Sequence, residues 1–224
     1  MHSFQIGSVS VDPVRSARDL GVYLDADLSM KTHVTSVVKG CFSALRLIRS
    51  VSRSLSRHAL LTLIRALVVS KVDYCITALV GVSIHLLDRL QAVLNAAARL
   101  VLSARKFDHI TPLLRDLHWL RVPERIQFRL CVLTFRCLHG LGPSYLADSF
   151  TRAADVQSSR RLRSSTTKML VVPPTRRSSL GDRAFPVAAA RAWNCLPASI
   201  RSESSLLIFR RQLKTFLFSF SFQI

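Results

Sequence analysis

The sequence predicts a mainly α-helical protein. About half of the 224 residues are apolar, which allows a sizeable core, and only seven glycines occur while Leu, Ala and Arg are abundant. That balance favours helices over a protein of strands and turns. Apolar residues also recur at spacings of three and four along much of the chain, which is the pattern of amphipathic helices.

The N-terminal thirty residues have strand character instead. Phe4, Ile6, Val9 and Val11 are separated by polar or small residues, and a second apolar run follows at residues 20–24. Two short strands do not form a stable sheet alone. We therefore predict a short β-hairpin element over residues 1–30 that is the edge of something larger.

Helices are predicted over most of residues 31–150, which we assign to one helical domain. A first helix spans His33–Arg49, and the serines of residues 50–56 end it, with Ser56 as the N-cap of the next. Residues 57–79 are apolar almost all round, so they are predicted to form a central, buried helix. Ser83 begins an amphipathic helix to about Ala104.

Prolines predict the starts of three later helices, because the first helical turn tolerates proline. They are Pro112, Pro123 and Pro143, and the helix after Pro123 is expected to end at Gly140.

The composition then changes. Residues 151–180 form a basic, Ser- and Arg-rich linker or partly extended arm, interrupted by a possible strand at residues 169–172. Residues 181–224 form a C-terminal tail with a helix from Ser204 to Phe218.

Charge is the strongest indication of a partner. The formal net charge is +19, and eight Lys or Arg but no Asp or Glu lie between Leu28 and Val72. Such a field favours a phosphate backbone, because each neutralised phosphate releases condensed counterions. The alternative is a basic surface that only faces solvent. The predicted phosphate contacts are Lys39, Arg46, Arg49 and Arg53, as a stripe on one side of the first helix, with Arg57, and Arg160, Arg161, Arg163, Arg176 and Arg177 of the arm.

No catalytic constellation, cofactor motif or metal site is predicted. The histidines are dispersed, no phosphate-cradling glycine loop occurs, and the five cysteines include no C-x-x-C pair. Cys137 and His139 are two apart, but no second pair would complete a zinc site. Asp25 and Asp27 could hold a divalent cation; the competing and favoured interpretation is a polar turn before a helix.

The location is predicted to be intracellular, nuclear or cytoplasmic, and not secreted. The first twenty residues lack an apolar run after a basic start, as a signal peptide would have. The most apolar stretch, Ala59–Val69, has eleven residues and contains Arg65. A bilayer span needs about twenty, so no membrane contact is expected.

Eight motifs along nearly the whole chain carry a family resemblance. They are LGVYLDADLSMKTHV (20–34), VSKVDYC (69–75), RLQAVLNAAARLV (89–101), HITPLLRDLHWLRVPERIQF (109–128), LHGLGPSYLADSF (138–150), LRSS (162–165), GDRAFPVAAARAWNCLPASIR (181–201) and FRRQLKTFLF (209–218). In order and in spacing they resemble the segment that follows the polymerase core in reverse transcriptases of LINE-type, non-LTR retrotransposons.

The resemblance implies a fragment without the catalytic palm. In that family the catalytic carboxylates include a pair in an aromatic-Ala-Asp-Asp hairpin, and this sequence contains no such motif. Leu20, Gly21 and Val22 resemble the hairpin that grips the primer strand, and the helices from His33 onward resemble the thumb that holds the template–primer duplex. Polymerase activity is expected to be absent, because two-metal phosphoryl transfer needs those carboxylates.

The function expected from this resemblance is sequence-tolerant binding of RNA, DNA or their hybrid through the phosphate backbone. Two alternatives stay open. In the first, the helices of residues 57–79 and 83–104 offer an apolar face, once covered by the missing palm, for a protein partner or for self-association. In the second, the chain is a non-functional translated relic of a retrotransposon. Departures from the family pattern at Ile76, Leu94 and Arg121 are compatible with a decaying copy of the element or with a divergent member of the family.

Overall fold

The computed structural model describes residues 3–155 and 168–222, and this part of the chain is mainly helical, with short hairpins at the N-terminus and a helix at the C-terminus. The predicted fold class is therefore confirmed. The chain forms two compact units. The first comprises residues 1–75 and 82–108, and the second comprises residues 76–81 and 109–224.

The first unit contains two antiparallel hairpins followed by helices. Its elements are β1 (Phe4–Ile6), β2 (Val9–Val11), β3 (Ser16–Asp19), β4 (Val22–Asp25), α1 (Lys31–Val51), α2 (Arg57–Ile64), α3 (Ser70–Asp73) and α4 (Ile84–Val101). A π-helical stretch, Arg65–Val69, joins α2 to α3. Each hairpin pairs two neighbouring strands, with Ile6 opposite Val9 and Asp19 opposite Val22.

Helix α1 begins where it does because Asp25 caps it. One carboxylate oxygen of Asp25 accepts hydrogen bonds from the Thr32 amide and the Ser29 hydroxyl, each at 3.1 Å. The carboxylate thus satisfies an amide of the first turn that has no partner within the helix. Asp27 likewise accepts from the Ser29 amide at 3.0 Å. The predicted polar turn before a helix is confirmed.

The core of the first unit lies where α1 packs along α4. Val34, Cys41, Leu45 and Ile48 are buried on one side of α1. The buried residues of α4 are Leu86, Leu90, Val93, Leu94, Ala97, Ala98 and Val101. This packing corrects one expectation: the apolar stripe of α4 is covered within the chain, so it is not an orphaned face.

The prediction of one central, buried helix over residues 57–79 is also wrong. The helical path ends at Asp73, because Tyr74 is extended and Cys75 has a φ of 49°. Residues 76–79 form a separate 3-10 turn in the second unit. The helical part is amphipathic rather than buried all round, since Arg65 and Lys71 are exposed while Val68 is buried.

The second unit is built on two long helices and several short ones. Its helices are α5 (Ile110–Asp116), α6 (Val122–Leu138), α7 (Ser144–Ala147), α8 (Ser178–Gly181), α9 (Phe185–Asn194), α10 (Ala198–Arg201) and α11 (Leu206–Phe222). Helix α6 packs against α9 and α11. Phe135, Trp193 and Phe209 are fully buried at the centre, with Phe209 stacked between the other two rings.

Hydrogen bonds connect residues 168–170, in the C-terminal part of the predicted arm, to α9. The side-chain amide of Asn194 bonds both the N–H and the C=O of Leu170, at 2.9 and 2.8 Å. The indole N–H of Trp193 donates to the Lys168 carbonyl at 2.7 Å. In place of the possible strand at residues 169–172, Leu170 makes a single antiparallel bridge with Arg152.

Candidate nucleic-acid interface

A basic groove lies in the first unit, where the last turns of α1 and α4 come together. Its volume is about 600 Å³. The lining residues are Arg49, Ser52, Arg53, Leu60, Ala96, Arg99, Leu100, Ser103, Ala104 and Lys106. A smaller cleft of about 180 Å³ shares Arg49, Ala96 and Leu100 with it and adds Arg46. The two cavities are therefore neighbours with shared lining residues, and together we call them the basic groove.

The groove exists because α1 and α4 run in the same direction. Near the helix starts, the guanidinium of Arg89 on α4 donates to the Thr35 hydroxyl on α1 at 3.0 Å. Near the helix ends, Arg49 and Arg99 line the same cavity. Residues that are about fifty positions apart in the sequence are thus brought to one surface. Leu60 of α2 also lines the groove.

The residues that line the groove produce a net positive field. Five of them are Arg or Lys, and none is Asp or Glu. Two helix C-termini also point here, and each contributes about half a negative charge. Five full positive charges outweigh that contribution. The groove therefore attracts anions, although part of the basic charge also stabilises the helix ends.

Side-chain bonds fix the walls of the groove. Arg99 donates from Nη2 to the Asp108 carbonyl at 3.2 Å, so its guanidinium is held against the chain that follows α4. The Ser52 hydroxyl donates to the Arg49 carbonyl at 2.8 Å. The Arg49 carbonyl also accepts the backbone N–H of Ser52, so both bonds hold the chain at the end of α1. Arg46, Arg49 and Arg53, in contrast, are exposed.

The structure brings three of the predicted phosphate contacts together. Arg46, Arg49 and Arg53 line the groove. Arg53 does so from a 3-10 turn, because α1 ends at Val51, so the predicted single helical stripe is wrong in this respect. Lys39 is exposed on α1, two turns before Arg46, and does not line the groove.

The remaining predicted contacts lie elsewhere. Arg57 is the exposed first residue of α2, one turn before Leu60. Arg176 and Arg177 are exposed in the second unit, just before α8. The other predicted arm contacts lie outside the described residues; they are Arg160, Arg161 and Arg163.

The residues that resemble a primer grip form a tight turn. Leu20 and Gly21 connect β3 to β4 with φ values of 45° and 83°, and Val22 is the buried first residue of β4. Positive φ at both central positions is the backbone of a type I′ turn, which suits the twist of a hairpin. The hydroxyl of Tyr74 donates to the Leu20 carbonyl at 2.6 Å and holds the turn in place.

Sequence reasoning missed two cations of the groove, Arg99 and Lys106. Arg99 lies in the last turn of α4, and Lys106 lies in the loop that follows. A sequence signal was present: residues 99–106 contain three basic residues and no acid. That cluster becomes informative only when α4 is known to pack in parallel along α1.

Burial shifts the pKa of titratable side chains in the first unit. Burial raises the pKa of the Cys41 thiol to about 11 despite the nearby Lys71, so the thiol is held in its unreactive form at neutral pH. Burial also lowers the pKa of His33, although Asp25 opposes the shift. Residues 3–155 and 168–222 contain no cluster of His, Cys, Asp and Glu suited to a metal ion.

Within the described ranges, no helix has both the length and the apolar character that crossing a bilayer requires. Comparison with protein-family models, with curated proteins and with solved structures finds no match to this chain.

Proposed function

We propose that this chain binds nucleic acid through the phosphate backbone, in the basic groove between α1 and α4. The observation that carries the proposal is the gathering of five cations from two separate parts of the sequence around two adjoining cavities without an acidic lining residue. A strand of phosphates fits such a feature because each contact releases counterions and requires no particular base.

The sequence motifs support a more specific proposal for the ligand. They resemble the thumb and tail of a non-LTR retrotransposon reverse transcriptase, in which helices hold the template–primer duplex. We therefore propose RNA, DNA or their hybrid as the ligand. The chain contains no aromatic-Ala-Asp-Asp motif, so polymerase chemistry is not part of the proposal.

The test is a salt titration of binding to a labelled RNA–DNA hybrid. If five phosphates are contacted, affinity should fall roughly 500-fold between about 50 and 200 mM salt. Replacing Arg46, Arg49, Arg53 and Lys106 with Gln should leave Arg99 as the remaining contact and reduce that loss to roughly fourfold. These four side chains are exposed, so the fold should tolerate the change.

A matched control separates the groove from the general charge of the protein. The variant R115Q/R129Q/R210Q/R211Q removes the same charge from exposed positions of the second unit. It should keep most of the affinity and a steep salt dependence. Equal losses in the two variants, or an unchanged salt slope in the groove variant, would show that the groove is only a solvated basic surface.

A further inference from the structure

Phe107 is an aromatic side chain that packs against almost nothing in its own chain. It is 89% exposed, the largest exposure among the bulky apolar residues of the described chain. Isolated apolar side chains at a surface are common. Phe107 differs because it lies on a hydrogen-bonded loop directly beside the basic groove.

The loop that carries Phe107 is held by hydrogen bonds at its base. The Arg105 amide donates to the Asp108 carboxylate at 2.7 Å, and the Asp108 amide donates to the Arg105 carbonyl at 3.2 Å. The guanidinium of Arg99 bonds the Asp108 carbonyl. Phe107 is the residue before Asp108, so its backbone position is fixed by the same bonds that fix a wall of the groove.

Phe107 is next to a cation of the groove in space as well as in sequence. The Lys106 ammonium lies 5.6 Å from the centroid of the Phe107 ring, and Lys106 lines the groove. A phosphate held by Lys106 would therefore leave its attached base within reach of an exposed ring. Cations that follow a backbone, next to an aromatic ring, are the combination that binds single-stranded nucleic acid.

We propose that Phe107 is a stacking platform for an unpaired base, so that the groove binds a nucleic acid with a single-stranded segment. The inference rests on the proposed function, because the phosphates in the groove deliver the base to the ring. A base inside a duplex already has both faces stacked. The ligand class is therefore a single strand or the single-stranded extension of a duplex.

The experiment compares three ligands with the whole protein at one moderate salt concentration. They are a blunt RNA–DNA hybrid, the same hybrid with a short single-stranded extension, and the same hybrid with an abasic extension. The abasic strand has the phosphates without the bases, so it separates stacking from added charge. The extension with bases should bind roughly tenfold more tightly than the abasic one, the gain expected for one stacked base.

Substitutions at Phe107 connect that gain to the ring. Phe107→Ala should abolish the difference in affinity between the two extensions and leave binding of the blunt hybrid unchanged. Phe107→Trp should preserve the difference between the two extensions. Phe220→Ala is the matched control, because Phe220 is an exposed aromatic (72%) on α11. Phe107→Ala itself should fold normally, since the ring is exposed.

The outcomes separate this inference from the proposed function. Equal affinity for the normal and abasic extensions, or an unchanged gain in Phe107→Ala, would overturn the stacking platform while the groove still bound the blunt hybrid. The stacking platform would also be overturned if Phe220→Ala lost the tighter binding of the extension with bases. If none of the three ligands binds, the proposed function fails and the stacking platform fails with it.

Discussion

At the scale of single residues, Asp25 connects two elements of the first unit. Its carboxylate is buried and accepts bonds from Thr32 and Ser29, which connects the end of β4 to the start of α1. Burial acts to raise the pKa of Asp25, but the hydrogen bonds outweigh it, and the pKa lies below the ordinary value of 3.8. The ionised form is thus the one that the fold stabilises.

Replacing Asp25 with Ala should lower the free energy of unfolding by about 1 kcal/mol at neutral pH, as the loss of a helix cap does. Because the folded pKa is depressed, the stabilisation is present above the ordinary aspartate pKa and is lost as the pH falls through the folded value. The difference between wild type and variant should therefore shrink in acid.

Urea unfolding at neutral pH and below the ordinary aspartate pKa measures this effect. Asp88→Ala, on an exposed position of α4, is the control and should stay within about 0.5 kcal/mol of wild type. A difference between Asp25→Ala and wild type that did not change with pH would mean that the carboxylate acts through its shape and not through its charge.

At the scale of elements, the most informative contact is the one between α9 and the segment from Lys168 to Leu170. Three side-chain bonds from Trp193 and Asn194 hold this extended segment, although it belongs to no sheet. Leu170 is buried in the same core as Trp193. A part of the sequence whose composition predicted an extended linker is thus anchored at this end.

Asn194→Ala should release that segment, because it removes both bonds to Leu170. Buried backbone groups left without partners cost about 1–3 kcal/mol. Hydrogen exchange of the Leu170 amide should accelerate strongly, while α6 keeps its protection. Asn95→Ala on α4 is the control and should leave Leu170 protected. Unchanged exchange at Leu170 in Asn194→Ala would show that burial of its side chain is enough to hold the segment.

Elements with local signals could be predicted from the sequence. Ser83 is the N-cap position of α4, and the Ser56 hydroxyl accepts from the Ala59 amide at 3.2 Å, as a capping serine should. Residues 57–79 could not be predicted correctly, because their apolar composition fits one helix and gives no sign of the break after Asp73. Cys75 at that break is left-handed, a conformation for which cysteine has no local preference.

The candidate site was predictable only in part, for the same reason. Arg46, Arg49 and Arg53 are close in sequence, so periodicity could place them near one another. Arg99 and Lys106 join them through the parallel packing of α1 on α4, which no local pattern encodes. Phe107 gave no sequence signal, because an exposed aromatic residue is recognised only when its burial is known.

At the scale of the whole molecule, the chain passes back and forth between its two units. Residues 76–81 belong with the second unit, although residues on both sides belong to the first. Ile76 and Leu79 are buried, and the 3-10 turn that holds them packs against α6. The sequence does not indicate this crossing, because the apolar pattern of residues 57–79 predicts one continuous helix.

Leu79→Ala should therefore destabilise the second unit rather than the first. Truncating a buried leucine costs about 2–5 kcal/mol. Hydrogen exchange should accelerate in α6 more than in α4. Leu86→Ala, in the buried stripe of α4, should give the opposite pattern. If Leu79→Ala opened α4 first, the short segment would stabilise the first unit instead.

The crossing has a consequence for synthesis on the ribosome. The residues around Leu79 leave the exit tunnel well before α6, and the chain grows at roughly 5–20 residues per second. For some seconds Ile76 and Leu79 have no partner, while the first unit cannot close before α4 is complete. Each unit needs residues that are synthesised later before it can fold. The nascent chain therefore exposes apolar surface that a chaperone could bind.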